Sequence, residues 1–372
     1  MTLRLDTAFA ELALRNGGDA EALAVFGRVL AADPPPDRQT ARRAGRGRAW
    51  ALEKLGRLER AIGAYRELLA EPDTEVGSED WALLAVALCR CYRDVGDQAM
   101  SVDFGERAMA ELSRADVAPL PEHLQLGSTL MGCYISRGDL TSAKLLAERL
   151  LPLARSTGSR VALGAVEWNA SLIAREQGRF DEALELAERA LALMAEADNA
   201  RHQGMLRCNL ARVLIARGEP AGALDLLVAA YGILRESARI SEVVFCVVLL
   251  SEVLVQLGDP AGALEWAARG TALLEAIGEE LWHERAALAL AFGRAHLVAG
   301  DEEFGEAELH RCGRLLDRSG DHRDVALIWR RLGDSWAERE RPVQAMAAYQ
   351  AALTALGLPA VPAASSRRRA LS

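Results

Sequence analysis

The segment Gly178-Arg179-Phe180-Asp181-Glu182-Ala183 has a close counterpart in Gly56-Arg57-Leu58-Glu59-Arg60-Ala61. The glycine of this segment recurs at intervals of about forty residues along the chain, and Glu340 takes the ninth place. Because glycine readily adopts the left-handed backbone that follows a helix, each of these residues is predicted to end one helix before the next turns back. The recurring glycines are Gly17, Gly56, Gly96, Gly138, Gly178, Gly218, Gly258 and Gly300.

Small residues form two further columns around this turn. Small side chains at both places let two helix backbones approach closely, so the pattern predicts antiparallel helix pairs. One pair cannot bury its apolar face alone, and we therefore predict an all-α, right-handed α-solenoid of about nine stacked hairpins over residues 1–356. The column five residues after the turn is Ala22, Ala61, Ser101, Ala143, Ala183, Ala223, Ala263, Gly305 and Ala345, and the column seven before it is Ala10, Ala49, Cys89, Met131, Ser171, Ala211, Ser251, Gly293 and Gly333.

The composition of the 372 residues agrees with a helical, soluble chain. Alanine occurs 69 times, and arginine outnumbers lysine by 42 to 2, a usage typical of a GC-rich bacterial genome. The net charge of -9 argues against nucleic acid as the main partner, because that binding needs clustered positive charge. No apolar run is long enough to span a membrane, and no signal peptide is evident, so we predict no membrane partner and a cytoplasmic location.

The last repeat contains the sequence Trp329-Arg330-Arg331-Leu332-Gly333-Asp334-Ser335-Trp336, followed by Ala345 and Tyr349. These residues resemble the pattern of the tetratricopeptide repeat family, W-x2-L-G-x2-Y and then A-x3-[FY]. The resemblance covers residues 3 to about 356, with a period of about forty instead of about thirty-four. Longer repeats of this kind are similar to those of bacterial peptide-sensing regulators. The resemblance implies a concave groove, lined by the first helix of each hairpin, that holds a peptide.

One residue column is expected to face that groove, because it is large, charged or tiny where the neighbouring columns are uniformly small. It lies six residues before each turn and consists of Trp50, Arg90, Gly132, Leu172, Arg212, Glu252, Arg294 and Asp334. Two asparagines, Asn169 and Asn209, lie nine residues before their turns, where a side-chain amide can pair with any peptide backbone. The alternative is that both bond locally between helices. The predicted peptide-binding residues are Trp168, Asn169, Arg175, Asn209, Arg212 and Glu252.

A second candidate site lies on the first helices of the second and third hairpins. Several guanidinium groups converging there would suit a carboxylate or a phosphate, through two-pronged hydrogen bonds. The alternative is that these arginines cover a solvated helix face, since arginine is frequent throughout the chain. The predicted anion-clamp residues are Arg43, Arg46, Trp50, Arg90 and Arg93.

The sequence offers no catalytic, metal or cofactor signature. The six histidines fall in different phases of the repeat, and no glycine-rich phosphate loop or nucleophile elbow is present. The repeat pattern begins almost at the first residue, so we expect no DNA-binding domain ahead of it. We predict a non-enzymatic scaffold or adaptor that binds a protein or peptide; the alternative is a regulator that senses a small signalling ligand or peptide. Residues 357–372, with three consecutive arginines, are predicted to form a disordered basic tail.

Overall fold

The computed structural model describes residues 2–115, 118, 120–197, 200–237, 240–277, 281–320 and 323–358. These residues form eighteen α-helices and no β-strand, which confirms the all-α prediction. The helices are α1 (Thr2–Arg15), α2 (Asp19–Leu30), α3 (Arg38–Lys54), α4 (Leu58–Leu69), α5 (Glu79–Asp94), α6 (Gln98–Ala115), α7 (Pro121–Arg137), α8 (Leu140–Ser156), α9 (Arg160–Glu176), α10 (Phe180–Glu196), α11 (Ala200–Arg217), α12 (Pro220–Ser237), α13 (Ile240–Gln256), α14 (Pro260–Ile277), α15 (Trp282–Val298), α16 (Glu302–Leu316), α17 (Arg323–Glu338) and α18 (Pro342–Ala355).

The chain divides into two compact units, Met1–Asn199 and Ala200–Ser372. In the first unit, α1 contacts α3, α5 contacts α7, and α7 contacts α9. In the second unit, α11 contacts α13, α13 contacts α15, and α15 contacts α17. Each odd-numbered helix also packs against the even-numbered helix that follows it. Within each unit, these pairs of odd-numbered helices therefore lie side by side.

The predicted turn residues all have the left-handed backbone that the sequence pattern required. The eight glycines have φ between 69° and 88°, and Glu340 has φ of 56°. At Gly178 the next amide, that of Arg179, donates to the carbonyl of Ala174 at 2.9 Å, which satisfies one of the last carbonyls of α9. The corresponding bond after Glu340 joins Arg341 to Trp336 at 2.9 Å. Glu340 thus keeps the same turn although its Cβ atom makes this conformation costly.

Both columns of small residues are buried, as predicted from their size. The column before the turn faces the following helix of the same hairpin. The thiol of Cys89 on α5 lies 3.3 Å from the carbonyl oxygen of Ser101 on α6, and the hydroxyl of Ser251 on α13 donates to Ala263 on α14 at 3.0 Å. Side chains at these positions can therefore reach the backbone of the partner helix, which requires a close approach of the two helices.

Two kinds of structural feature are absent from the described residues. No helix in them is both long enough and apolar enough to cross a bilayer. They also contain no cluster of three or more histidine, cysteine, aspartate or glutamate side chains that could hold a metal ion. Most of the predicted basic tail, residues 359–372, lies outside the described part of the chain.

Candidate functional site

The column predicted to face a groove is at the surface. None of its eight members is buried, and Trp50 and Asp334 are exposed. The neighbouring column, one residue earlier, is buried throughout. This contrast agrees with the assignment of the two columns to the surface and to the interior of each unit.

The four arginines of the predicted anion clamp all have carboxylate partners within the protein. The pairs are Arg43 with Glu11, Arg46 with Asp80, Arg90 with Glu53, and Arg93 with Asp94. Trp50 is 39% exposed, and the ammonium of Lys54 lies 5.8 Å from its ring centre. An external anion would have to compete with a carboxylate at each arginine, so the anion clamp stays a prediction that these pairs make less favourable.

Arg90 and Arg93 differ in how their guanidinium groups are used. Arg90 donates through both Nε and Nη2 to the carboxylate of Glu53, which is almost completely buried. Arg93 donates through Nε at 3.1 Å and through Nη2 at 2.9 Å to one oxygen of Asp94. Its Nη1 has no hydrogen-bond partner in the described part of the chain. Arg93 therefore keeps one donor for a ligand.

Asn169 on α9 keeps an acceptor in the same neighbourhood. Its Nδ2 donates to the carbonyl of Ser128 on α7 at 3.1 Å and to that of Ala165 at 3.0 Å. These two bonds fix the orientation of the amide, because only the nitrogen can donate to carbonyl oxygens. Oδ1 accepts no hydrogen bond from the described residues. The local-bonding alternative is thus correct for the nitrogen, whereas the oxygen remains available.

Gly132 on α7 lies between these two groups. A Cβ atom added to Gly132 would lie 3.3 Å from Nη1 of Arg93 and 3.8 Å from Oδ1 of Asn169. Both side chains therefore lie close above the Gly132 backbone, in the space that a side chain at this position would need. We call these three residues, contributed by α5, α7 and α9, the Arg93–Gly132–Asn169 site. It presents the unpaired Nη1 atom of Arg93, with its two N–H groups, as a donor and Oδ1 of Asn169 as an acceptor.

The other predicted peptide-binding residues of the first unit, Trp168 and Arg175, are less accessible to a ligand. Trp168 is half-buried next to Asn169 in the sequence of α9. The side chain of Arg175 is 9% exposed and forms an ion pair with Glu176 at 2.6 Å. Both stay predicted ligand contacts, but neither lies over Gly132 as Arg93 and Asn169 do.

In the second unit, the predicted peptide-binding residues are engaged within the fold. Asn209 is 4% exposed, and the guanidinium of Arg212 lies 5.7 Å from the ring centre of Phe245. Glu252 on α13 forms an ion pair with Arg331 on α17, and its side chain is 10% exposed. Burial lowers the pKa of Arg331 to about 10, against the opposing charge of Asp334. The structure therefore offers Asn209 and Glu252 little freedom to bind a ligand.

Gly132 was not predicted as part of this site, because residues at equal distances from their turns do not all meet in the structure. Packing instead brings together residues at different distances from their turns. Arg93 lies three residues before Gly96, Gly132 lies six before Gly138, and Asn169 lies nine before Gly178. The offset of three residues per hairpin is visible in the sequence. A diagonal comparison of neighbouring repeats would have found this set.

Comparison with known families supports the fold. Residues 7–75 and residues 162–236 each match the tetratricopeptide repeat. Together with the helical hairpins described above, these matches show that the chain is a tetratricopeptide repeat protein. No curated protein matches the sequence.

Solved structures of low sequence identity share the fold. A Rap protein complexed with competence and sporulation factor has a TM-score of 0.65 and 13% identity, with 95% of this chain and 97% of that chain covered. Aspartyl phosphate phosphatase F from Bacillus subtilis has a TM-score of 0.57 and 12% identity, with 96% of each chain covered. A tetratricopeptide repeat protein from Parabacteroides merdae has a TM-score of 0.51 and 13% identity, with 78% of this chain and 98% of that chain covered.

Proposed function

We propose that this protein is a non-catalytic scaffold that binds an extended peptide segment of a partner protein at the Arg93–Gly132–Asn169 site. The observation that supports it is the placement of one free donor and one free acceptor over a residue without a side chain. A peptide group carries one N–H and one C=O, so it can satisfy both atoms at once whatever its side chain is.

The charge of the site agrees with a peptide ligand. Asp94 accepts two hydrogen bonds from Arg93 and offsets its charge, so the site does not demand an anion. The bonds from Asn169 to Ser128 and Ala165 hold its oxygen in place before any ligand arrives. Such preorganisation lowers the entropy that binding would otherwise cost.

Binding to a random-sequence peptide library tests the proposal. Peptides selected on the wild-type protein should bind Asn169→Ala and Arg93→Met about tenfold more weakly, because each variant removes one hydrogen bond to the ligand. Gln177→Ala and Arg107→Met are matched controls, since both residues are exposed and neither borders Gly132. A wild-type protein that selects no peptide, or variants that bind as tightly as the controls, would contradict the proposal.

A second candidate function is a regulator that senses a signalling peptide. It is favoured by the similarity, over 95% of this chain, to a Rap protein complexed with competence and sporulation factor. In this case the peptide must bind one conformation better than another, and thereby change the affinity for a second protein. Small-angle scattering with and without a selected peptide distinguishes the two functions. A scaffold keeps its radius of gyration, whereas a sensor changes it.

A further inference from the structure

Two cysteines of neighbouring odd-numbered helices are in contact. The Sγ atoms of Cys89 on α5 and Cys133 on α7 lie 3.7 Å apart, and both residues are fully buried. The two residues are 44 positions apart in the sequence, so the packing of α5 against α7 creates the contact. A disulfide bond is about 2.0 Å long, so the distance between the two sulfurs would have to shorten from 3.7 Å to about 2.0 Å.

The electrostatic environment distinguishes the two thiols. The hydrogen bond between the two thiols lowers the pKa of Cys133, and the charge of Arg93 acts in the same direction against the effect of burial. The same hydrogen bond, together with burial, raises the pKa of Cys89. Thiolates are the nucleophiles of thiol oxidation, and the charge of Arg93 favours the thiolate of Cys133, so we assign the first attack to Cys133.

The thiol pair lies within the framework of the Arg93–Gly132–Asn169 site. Cys133 directly follows Gly132 on α7, and Cys89 lies one helical turn before Arg93 on α5. We expect that a disulfide between the two sulfurs shifts α5 relative to α7, and with it Arg93 relative to Gly132. Hydrogen bonds weaken steeply when donor and acceptor are misplaced by a few tenths of an ångström or more.

We propose that Cys89 and Cys133 are an oxidation site, at which a small peroxide forms a reversible disulfide that weakens peptide binding at the Arg93–Gly132–Asn169 site. The regulatory part of this inference rests on the proposed peptide-binding function. Neither sulfur is exposed, so the oxidant has to be small and has to enter when the packing of α5 against α7 opens transiently.

The chemistry balances in two steps. The thiolate of Cys133 attacks one peroxide oxygen, the O–O bond breaks, and the released hydroxide takes up a proton to form water, which leaves a sulfenic acid. The sulfur of Cys89 then attacks the sulfenic sulfur; the S–S bond forms, and the departing hydroxide takes the proton of Cys89 to form a second water. The two thiols are oxidised by two electrons, and the peroxide is reduced. A small dithiol reverses the modification by becoming a disulfide itself.

The remaining cysteines supply controls. Cys312 is fully buried and has no thiol neighbour among the described residues, so it should not form a disulfide within the chain. In the second unit, Cys208 and Cys246 are both fully buried, and the proximity of Cys246 contributes to a raised pKa of Cys208. They are far in sequence from Cys89 and Cys133, so the proteolytic fragments that contain them differ in mass from a linked Cys89–Cys133 fragment.

The experiment combines mass spectrometry with peptide affinity. The reduced full-length protein is treated with hydrogen peroxide, its remaining thiols are alkylated, and its proteolytic peptides are analysed. We expect a linked Cys89–Cys133 peptide and a peptide affinity about tenfold lower, restored by dithiothreitol. Cys312→Ser should behave as the wild type, whereas Cys133→Ser and Cys133→Ala should keep their affinity after peroxide treatment. Melting temperatures verify that the variants are folded.

Each outcome bears on a separate part of the inference. Absence of the linked peptide overturns the disulfide, whatever the affinity does. A linked peptide with unchanged affinity overturns its control of the site. If the reduced wild-type protein binds no peptide at all, the proposed function fails and the regulatory role fails with it, while the mass spectrum still decides whether the disulfide forms.

Discussion

Arg90 of α5 and Glu53 of α3 form a two-pronged ion pair, with Nε to Oε1 at 2.7 Å and Nη2 to Oε2 at 2.9 Å. The side chain of Glu53 is only 2% exposed, and the hydroxyl of Tyr65 on α4 donates to it at 3.0 Å. The buried carboxylate thus joins three helices of the first unit. Arg90, predicted as part of an anion clamp, already holds an anion that belongs to the fold.

Arg90→Met should destabilise the protein by about 3–5 kcal/mol, because it leaves the buried carboxylate of Glu53 without its counter-ion. Urea unfolding monitored by circular dichroism measures this loss. Arg107→Met is the matched control, since its ion pair with Asp103 is exposed on both sides and contributes at most about 1 kcal/mol.

A double variant checks the cause of that loss. In Glu53→Gln/Arg90→Met the buried charge is gone, and the free energy of unfolding should recover part of the way toward the wild type. If Arg90→Met unfolds at the same urea concentration as Arg107→Met, the pair contributes no more than an exposed one, and our account of Glu53 is wrong.

The two asparagines that look equivalent in the sequence should respond differently to substitution. Asn209 is 4% exposed and engaged within the second unit, so Asn209→Ala should cost about 1–3 kcal/mol and leave peptide affinity unchanged. Asn169 is partly exposed and has a free oxygen, so Asn169→Ala should weaken peptide binding. Urea unfolding and peptide titration of both variants measure the difference. Equal loss of affinity in the two would show that both asparagines bind the peptide, as their equivalent positions in the repeat predict.

The sequence predicted the helices because each turn depends on one local property, the left-handed backbone after a helix. Nine of these turns could be placed from glycine spacing, including the one where Glu340 replaces glycine. The partners of charged residues could not be predicted in this way. Arg90 pairs with a glutamate 37 residues earlier, and nothing in the local sequence of α5 specifies that distance.

The candidate site was predictable in part. Asn169 and Arg93 were both predicted, but in two different sites, because the comparison of equal repeat positions separated them. Gly132 was recognised only as a member of a surface column. The atoms that lie over its backbone come from α5 and α9, and three-dimensional packing alone reveals which side chains those are.

Two helical glycines should give stability changes of opposite sign when replaced by alanine. A Cβ atom at Gly47 on α3 would lie 2.3 Å from Cζ of the buried Phe26, so Gly47→Ala should cost about 1–3 kcal/mol. A Cβ atom at Gly63 on α4 would have no neighbour within 4 Å, so Gly63→Ala should gain up to about 1 kcal/mol from helix propensity. Thermal unfolding of the two variants measures both signs. A stabilised Gly47→Ala variant would show that α2 and α3 move apart readily.

Asp37 should make the stability of the first unit depend on pH in the acidic range. It accepts a hydrogen bond from the backbone N–H of Thr40 at the start of α3, and others from the Thr40 hydroxyl and from Arg4. These bonds, the backbone N–H first, lower the pKa of Asp37 from 3.8 to about 2. Because the folded pKa is lower than the unfolded one, the stabilisation is complete above about pH 4. It is lost as the pH falls toward 2.

Asp37→Asn keeps a capping side chain but cannot titrate, so its difference from the wild type isolates the charge. The wild type should unfold at a higher urea concentration than Asp37→Asn at pH 6, and this advantage should shrink steadily between pH 4 and pH 2. Asp139→Asn provides a parallel case, because the backbone N–H of Ser142 lowers the pKa of Asp139 in the same way at the start of α8. An advantage that is constant from pH 6 to pH 2 would mean that the charge of Asp37 contributes nothing, and that its oxygen caps α3 equally well when protonated.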